Sequence, residues 1–233
     1  MSSSESSARR LTAARWDAEY RNQRYADEPP LPFVSHIIDT LRAAANDPGV
    51  GLYVGCGNGR NYLPLVDAGL DLIGLDISPE AIRHLEARRA TLPAQRLVCG
   101  DFLGYQSPVG HLDYVIAIQV FQHGSDADAA AYVTKVAALL RPGGFLFLRV
   151  NSVGTQIYHA HTVVERNAFG GITIRYDDGP KRGMLIHFYS DVELRERLTP
   201  AFAPVLEPRE DVTVRAAPKS GSWAQWETIW TRR

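Results

Sequence analysis

The sequence predicts an α/β fold, an open and mostly parallel sheet covered by helices on both faces, and three observations carry that prediction. Apolar strand-like runs and amphipathic helical runs alternate between residues 50 and 150 with short links, the pattern of repeated βαβ units joined by right-handed crossovers. The first of these strands runs into three glycines at alternate positions, in Gly51-Leu-Tyr-Val-Gly-Cys-Gly-Asn-Gly-Arg60, and a helical pattern follows at once. The length of 233 residues suits one domain of the larger α/β kind, with enough chain to bury a real core.

Taken in order, residues 1–10 carry five serines among the first seven and almost nothing apolar, which predicts a disordered tail. Residues 11–25 place Trp16, Tyr20 and Tyr25 at near-helical spacing, so this segment reads as a short helix whose aromatics pack on the main body or over a ligand. Asp27-Glu-Pro-Pro30 breaks it, because proline lacks a donor and restricts the residue before it. A second helix over 32–45 buries Phe33, Val34, Ile37, Ile38 and Leu41 on one face. Residues 11–45 together form a helical cover ahead of the sheet.

The helix after the glycine turn spans 61–68, and a second strand ends on the carboxylate of Asp76. Ser78, Pro79 and Glu80 supply the cap, first-turn proline and first-turn acid of the next helix. A third strand, 95–99, leads to Gly100-Asp101-Phe102, and a fourth, 112–118, is apolar enough to be buried on both faces. Ser125 caps a helix marked by Ala129, Tyr132, Val133, Val136 and Leu140; Arg141-Pro-Gly-Gly144 closes it, and 145–150 is the fifth strand. Residues 151–189 change character and read as an insertion or lid, with short strands at 162–167 and 172–176 about a Gly170-Gly171 turn. Ser190-x-x-Glu193 is a capping-box pattern, and strands near 204–214 and 222–231 form a closing hairpin. Residues 11–233 are thus one domain.

Composition excludes several function classes. With 25 basic and 26 acidic residues the formal charge is -1, which forecasts no nucleic-acid surface, and Arg83, Arg88 and Arg89 read as the solvated face of a helix. No apolar run reaches a membrane span and no signal segment is evident, so a cytoplasmic protein with no membrane partner is expected. Cys56 and Cys99 are too far apart for a C-x-x-C motif and read as small buried side chains.

A turn without Cβ atoms at Gly55, Gly57 and Gly59 lets a ligand approach the backbone, and the helix behind it offers free N–H groups. A dinucleotide fingerprint would be G-x-G-x-x-G, but Arg60 stands where its third glycine belongs. In open α/β sheets ligands bind outside the carboxyl ends of the strands, so the residues after each strand are the candidates.

Val54-Gly-Cys-Gly-Asn-Gly-Arg60, Asp76, Gly100-Asp101-Phe102 and Leu140-Arg-Pro-Gly-Gly144 come in an order that resembles the class I S-adenosylmethionine-dependent methyltransferases. The resemblance is strong over residues 50–150 and departs at Tyr53, where many relatives carry an acid. It implies a Rossmann-like seven-stranded sheet with an antiparallel C-terminal strand, S-adenosyl-L-methionine as cofactor, and methyl transfer to a small-molecule acceptor. On that basis Gly55, Cys56, Gly57 and Gly59 surround the amino-acid portion of the cofactor, whose carboxylate meets backbone donors and Arg60 or Arg24. Asp76 accepts from the ribose hydroxyls, Ile77 packs on the adenine, and Asp101 and Phe102 meet its amino group and ring edge. Gln119 and His123 follow the fourth strand toward the methyl group. His123 reads equally as a general base needing modest pKa tuning or as a brace of its loop, and Tyr25 as a cover of the sulfonium or as packing. His159, His161 and His187 fall in the insertion; with no carboxylate evident beside them no metal is expected, and they read as pocket-lining or structural. An NAD(P)-dependent oxidoreductase on a related fold, or a non-catalytic cofactor-binding regulatory protein, are the alternatives.

Overall fold

A computed structural model describes residues 3–23, 28–45 and 47–233. Its elements run α1 (Ser3–Arg21), α2 (Phe33–Ala44), β1 (Val50–Val54), α3 (Tyr62–Asp67), β2 (Asp71–Asp76), α4 (Pro79–Arg88), β3 (Leu97–Cys99), β4 (Leu112–Ile118), α5 (Asp126–Leu139) and β5 (Leu140–Asn151). They continue with β6 (His161–Arg166), β7 (Ile172–Tyr176), β8 (Leu185–Phe188), α6 (Asp191–Leu198), β9 (Phe202–Val214) and β10 (Ser222–Arg232).

Seven strands form one sheet in the order β3-β2-β1-β4-β5-β10-β9. β10 pairs antiparallel with both β5 and β9, while β1 to β5 pair in parallel. The strand order reverses between β1 and β4, which opens a crevice at their carboxyl ends. Period-two alternation gives each strand two buried faces. Leu52, Val54, Val115 and Ala117 share a core with Ala129 and Val136 of α5 and Leu194 and Leu198 of α6. Tyr53, Tyr114 and Ile116 share another with Phe33, Ile37 and Leu41 of α2. Ser78 caps α4 through Ala81 N–H, and Ser125 caps α5 in a reciprocal box with Asp128, as the spacing predicts.

The insertion is a separate antiparallel sheet, β6-β7-β8, in which β7 is central. It is tied to the main body at the loop after β4: Gly124 N–H donates to Leu185 O (3.1 Å) and His187 N–H to Gln122 O (2.7 Å). β8 carries no clear strand signal in the sequence, because the last three residues of its Leu185-Ile-His-Phe188 are all buried and do not alternate.

Three expectations are corrected. Residues 3–10, expected to be disordered, belong to α1. The helix is anchored downstream by Trp16, Asp17 and Tyr20, and a helix already nucleated extends through serine, glutamate and alanine at little cost. Cys99 is exposed, because β3 is the edge strand, whereas Cys56 is buried. Residues 141–144 do not simply end α5; they loop out within β5, where the register jumps from Leu112↔Leu140 to Tyr114↔Phe145.

Candidate active site

The three alternate glycines make the turn that β1 requires. Gly55, Gly57 and Gly59 hold φ of +70°, +55° and +94°, a region that side chains disfavour. Gly55 and Cys56 N–H both donate to Leu75 O, at 2.7 and 3.1 Å, which fixes the turn against the end of β2. A Cβ on Gly59 would lie 2.7 Å from Leu85 and 2.8 Å from Leu63, so Gly59 already provides the close helix packing for which a fingerprint needs its third glycine. Arg60 is free to leave the turn. Its Nε donates to Pro29 O (2.7 Å) and its Nη1 pairs with Glu28 (2.8 Å), joining the turn to the segment ahead of α2.

Asp76 stands at the end of β2, only 5% exposed. Its Oδ2 accepts from Gly57 N–H (2.8 Å) and its Oδ1 from Ser78 N–H (2.9 Å). Burial pushes its pKa up to about 6, against the lowering effect of those two N–H groups. A carboxylate has about four acceptor positions, so two N–H partners leave capacity for two more donors. Asp76 lines a cavity of about 450 Å³ with the glycine turn, Ile77, Asp101 and Phe102, a size within the usual range of ligand pockets.

α1 covers this cavity. Thr12, Trp16 and Tyr20 line it, and the Tyr20 hydroxyl sits where a Cβ on Gly57 would be only 2.6 Å away. Arg9 Nη1 pairs with Asp101 Oδ2 at 2.5 Å, and Asp17 accepts from the Ser78 hydroxyl and from Glu80 N–H (3.3 Å) at the start of α4. Asp101 therefore meets the cavity with one oxygen already committed to α1.

The opposite wall is the loop after β4. Gln119 has φ of +60°, an uncommon conformation for a residue other than glycine, and it is held there by its N–H to Arg149 O (2.7 Å) and its Nε2 to Gln225 Oε1 (2.8 Å). Arg149, 3% exposed, donates to Gln225, to Glu227 (2.9 Å) and to Asp211 (2.5 Å). Phe102, Phe121 and Tyr132 stack behind the loop, and the Tyr132 hydroxyl donates to His123 O (2.8 Å).

His123 lines the cavity with both ring nitrogens out of solvent and, among the described residues, without a hydrogen-bond partner. Burial first and Lys181 second push its pKa down to about 3. The expectation of modest tuning toward a base is therefore corrected: this imidazole stays neutral at physiological pH and binds a proton weakly.

The structure thus gathers Gly55, Cys56, Gly57, Arg60, Asp76, Ile77, Asp101, Phe102, Gln119 and His123 around one cavity, with Gly59 packed behind its turn. Tyr25 and Arg24 lie outside the described residues. Sequence reading missed Tyr132, Arg149, Lys181, Thr213, Trp223 and Gln225, which also line it. They follow no local motif, since apart from Trp223 and Gln225, which share β10, each comes from a different helix, strand or loop.

The three insertion histidines separate. His161 lies on exposed β6, and His159 contacts Asp178 (3.1 Å). His187 is buried: its Nδ1 lies 2.9 Å from the Thr173 hydroxyl and its Nε2 2.8 Å from Glu193. The sequence reading found no carboxylate beside these histidines, and Glu193 and Asp126 are that carboxylate pair; a grouping of Asp126, His187 and Glu193 has metal-like spacing. Arg197 occupies its charge centre, donating from Nε to Glu193 (2.7 Å) and from Nη2 to Asp126 (2.5 Å), so a guanidinium already supplies the cation there.

Residues 52–144 match the family described as a methyltransferase domain. A ubiquinone biosynthesis O-methyltransferase of Albidiferax ferrireducens is 27% identical over 143 residues, 58% of this chain and 53% of that protein. A probable thiol methyltransferase of Arabidopsis thaliana is 25% identical over 120 residues, 50% of this chain and 51% of the relative. The chain spans about half the length of these curated relatives. In fold it is similar to a Burkholderia thailandensis 1,6-didemethyltoxoflavin-N1-methyltransferase with that compound and S-adenosylhomocysteine bound (TM-score 0.64, 20% identity, covering 100% of this chain and 92% of that one). A magnesium protoporphyrin IX methyltransferase from Synechocystis with bound S-adenosylmethionine gives a TM-score of 0.64 at 16% identity, covering 97% of both chains.

Proposed function

We propose that the chain is a class I S-adenosylmethionine-dependent methyltransferase that passes the cofactor's methyl group to a small-molecule acceptor, a reading supported by the methyltransferase-domain match over residues 52–144 and by the fold. The observation that carries the reading is Asp76, a buried carboxylate held by Gly57 N–H and Ser78 N–H across a positive-φ glycine turn, with acceptor capacity left toward the cavity.

The residues present fit the cofactor. The turn at Gly55 to Gly57 would hold the amino-acid portion beside Val120 and the Tyr20 hydroxyl, which pack on its glycines, and Asp76 would take the ribose diol. Ile77 and Phe102 provide apolar contact for the adenine, and the second oxygen of Asp101 accepts from its amino group. The bound cofactor supplies a methyl group already activated on a sulfonium sulfur. What this chain adds is alignment of the acceptor and exclusion of water. α1 closes the cavity with Trp16 and Tyr20, and Gln119 is locked in a strained conformation that points this loop at the acceptor side. His123, neutral, offers one donor and one acceptor nitrogen to hold the acceptor rather than to deprotonate it.

The near-zero charge and a cavity covered by α1 favour a small molecule over a nucleic acid. No helix among the described residues is long and apolar enough to cross a membrane.

Calorimetric titration with S-adenosylhomocysteine tests the reading. Wild type is expected to bind, and Asp76→Ala to lose about 100-fold or more, because two hydrogen bonds to a charged acceptor are worth roughly 1.5–3 kcal/mol each. No binding by wild type, or equal binding by the variant, removes the cofactor assignment. A fluorescence change on titrating NADH would favour the oxidoreductase reading instead.

A further inference from the structure

A second cavity, of about 180 Å³, adjoins the first. Lys181 and Trp223 line both, so these two side chains form the partition between them. Trp223 is fixed in place, its Nε1 donating to Asn151 Oδ1 at 3.0 Å. Lys181 comes from the β7–β8 loop of the insertion, with its Nζ 5.4 Å from the Trp16 ring centroid. The second cavity is smaller than the roughly 300–1,000 Å³ of a self-sufficient ligand pocket, which suits it to one part of a ligand whose other part lies elsewhere.

Its lining has a definite chemistry. Tyr158, Tyr176, Phe188 and Trp223 give aromatic walls. Three cationic side chains, Lys181, Arg215 and Lys219, stand against one carboxylate, Glu19. Among the described residues neither Arg215 nor Lys219 has a carboxylate partner: Arg215 donates one Nη1 bond to Ser220 O (3.1 Å), and Lys219 Nζ lies 6.0 Å from the Tyr158 ring centroid. The one histidine of the lining, His159, is edge-on to Tyr158 and Tyr176 and bonded to Asp178. An aromatic slot with uncompensated positive charge at its rim is complementary to a flat anion, and a guanidinium fork matches a carboxylate in particular.

We infer that this second cavity is a carboxylate-binding subsite, in which Arg215 and Lys219 hold the acidic end of an aromatic acceptor whose reacting end passes Trp223 and Lys181 into the first cavity. That the ligand is a methyl acceptor rests on the function proposed above; that the cavity takes an aromatic carboxylate does not.

The probes are 4-hydroxycinnamate and its neutral amide, titrated by calorimetry into wild type and into Arg215→Gln/Lys219→Gln, with S-adenosylhomocysteine titrated into the same preparations. The acid is expected to bind wild type about tenfold or more tighter than the amide, as befits charge-assisted hydrogen bonds. In the double variant that gap closes while the amide binds as before. Lys219→Gln alone, on an exposed turn, closes part of it, and provides the test should the double variant fold poorly. Equal binding of acid and amide to wild type, binding of neither, or a gap that survives in the variants overturns the subsite. S-adenosylhomocysteine binding is a separate readout: its absence in wild type removes the methyl-transfer reading and leaves the carboxylate result standing.

Discussion

The two sides of the main cavity are built by different means. On the side of β1 and β2 the site is made of backbone: glycine φ angles, two N–H groups on Asp76, and two more on Leu75 O, all from residues within about two dozen positions of one another. On the side of β5 and β10 it is made of side chains that meet across long stretches of chain. Gln119 and Gln225 are 106 residues apart, Arg149 and Glu227 78, and Asn151 and Trp223 72. A backbone-built site accepts one ligand shape and changes little with sequence, whereas a side-chain network can be rewritten residue by residue. The difference suits a constant cofactor facing a variable acceptor.

The largest effect should come from a second long-range side-chain network, behind the insertion and outside the cavity wall. Glu193 is fully buried and accepts from both His187 and Arg197, thereby joining the insertion sheet to α6. Glu193→Ala leaves Arg197 and His187 without that partner, and loss of one member of a buried pair costs about 3–5 kcal/mol. Urea unfolding should show that loss. A change below about 1 kcal/mol, the worth of an exposed pair, would mean that the insertion does not depend on this ion network.

Next is a test of the backbone half. Gly57→Ala forces a side chain to φ of +55° and places its Cβ 2.6 Å from the Tyr20 hydroxyl. The conformation alone costs roughly 1–2 kcal/mol, so urea unfolding is expected to show a loss of at least that size. Tyr20→Phe in the same chain should return the part due to the hydroxyl and leave the backbone part. Full recovery would show that side-chain crowding, and not φ, sets this turn.

The contrast also explains what could be read from the sequence. The glycine turn, Asp76 and the Ser78 and Ser125 caps announce themselves because their partners are close in sequence and their residue types are dictated by φ or by a helix end. Arg149, Trp223 and Gln225 do not, since a strand pattern fixes which face they occupy but not what they meet. Ser190-x-x-Glu193 shows the limit from the other direction: Ser190 caps α6 as its spacing says, yet Glu193 turns to His187 and Arg197, partners that no local pattern names. The start of the covering helix is not legible for the same reason, because the groups that hold it, Asp101 and Ser78, lie far along the chain.

A third test uses pH to read the backbone half in isolation. Both ribose hydroxyls donate to Asp76 most strongly when it is ionised, and its pKa in the free protein is raised to about 6 by burial. Affinity for S-adenosylhomocysteine should therefore be level well above pH 6 and fall by up to about tenfold for each unit below it, the slope of one proton taken up on release of the ligand. His123 adds no inflection above pH 5, because its pKa lies near 3. A midpoint near 4 would indicate that Asp76 is better hydrated than its burial implies.

The smallest effect belongs to the one long-range piece of the cofactor side, the cover formed by α1. Arg9 reaches Asp101 at 2.5 Å and Asp128 at 3.9 Å with both members of the shorter pair partly exposed. Such pairs contribute roughly 0.2–1 kcal/mol, so Arg9→Ala should speed S-adenosylhomocysteine release by about fivefold at most and should make that rate less sensitive to salt. Stopped-flow fluorescence of Trp16, which lines the cavity, reports the rate. The variant also frees the Asp101 oxygen that Arg9 holds in the ligand-free chain. If affinity rises while release stays slow, Arg9 competes with the adenine for Asp101, and the cover is held instead by Asp17 at the start of α4.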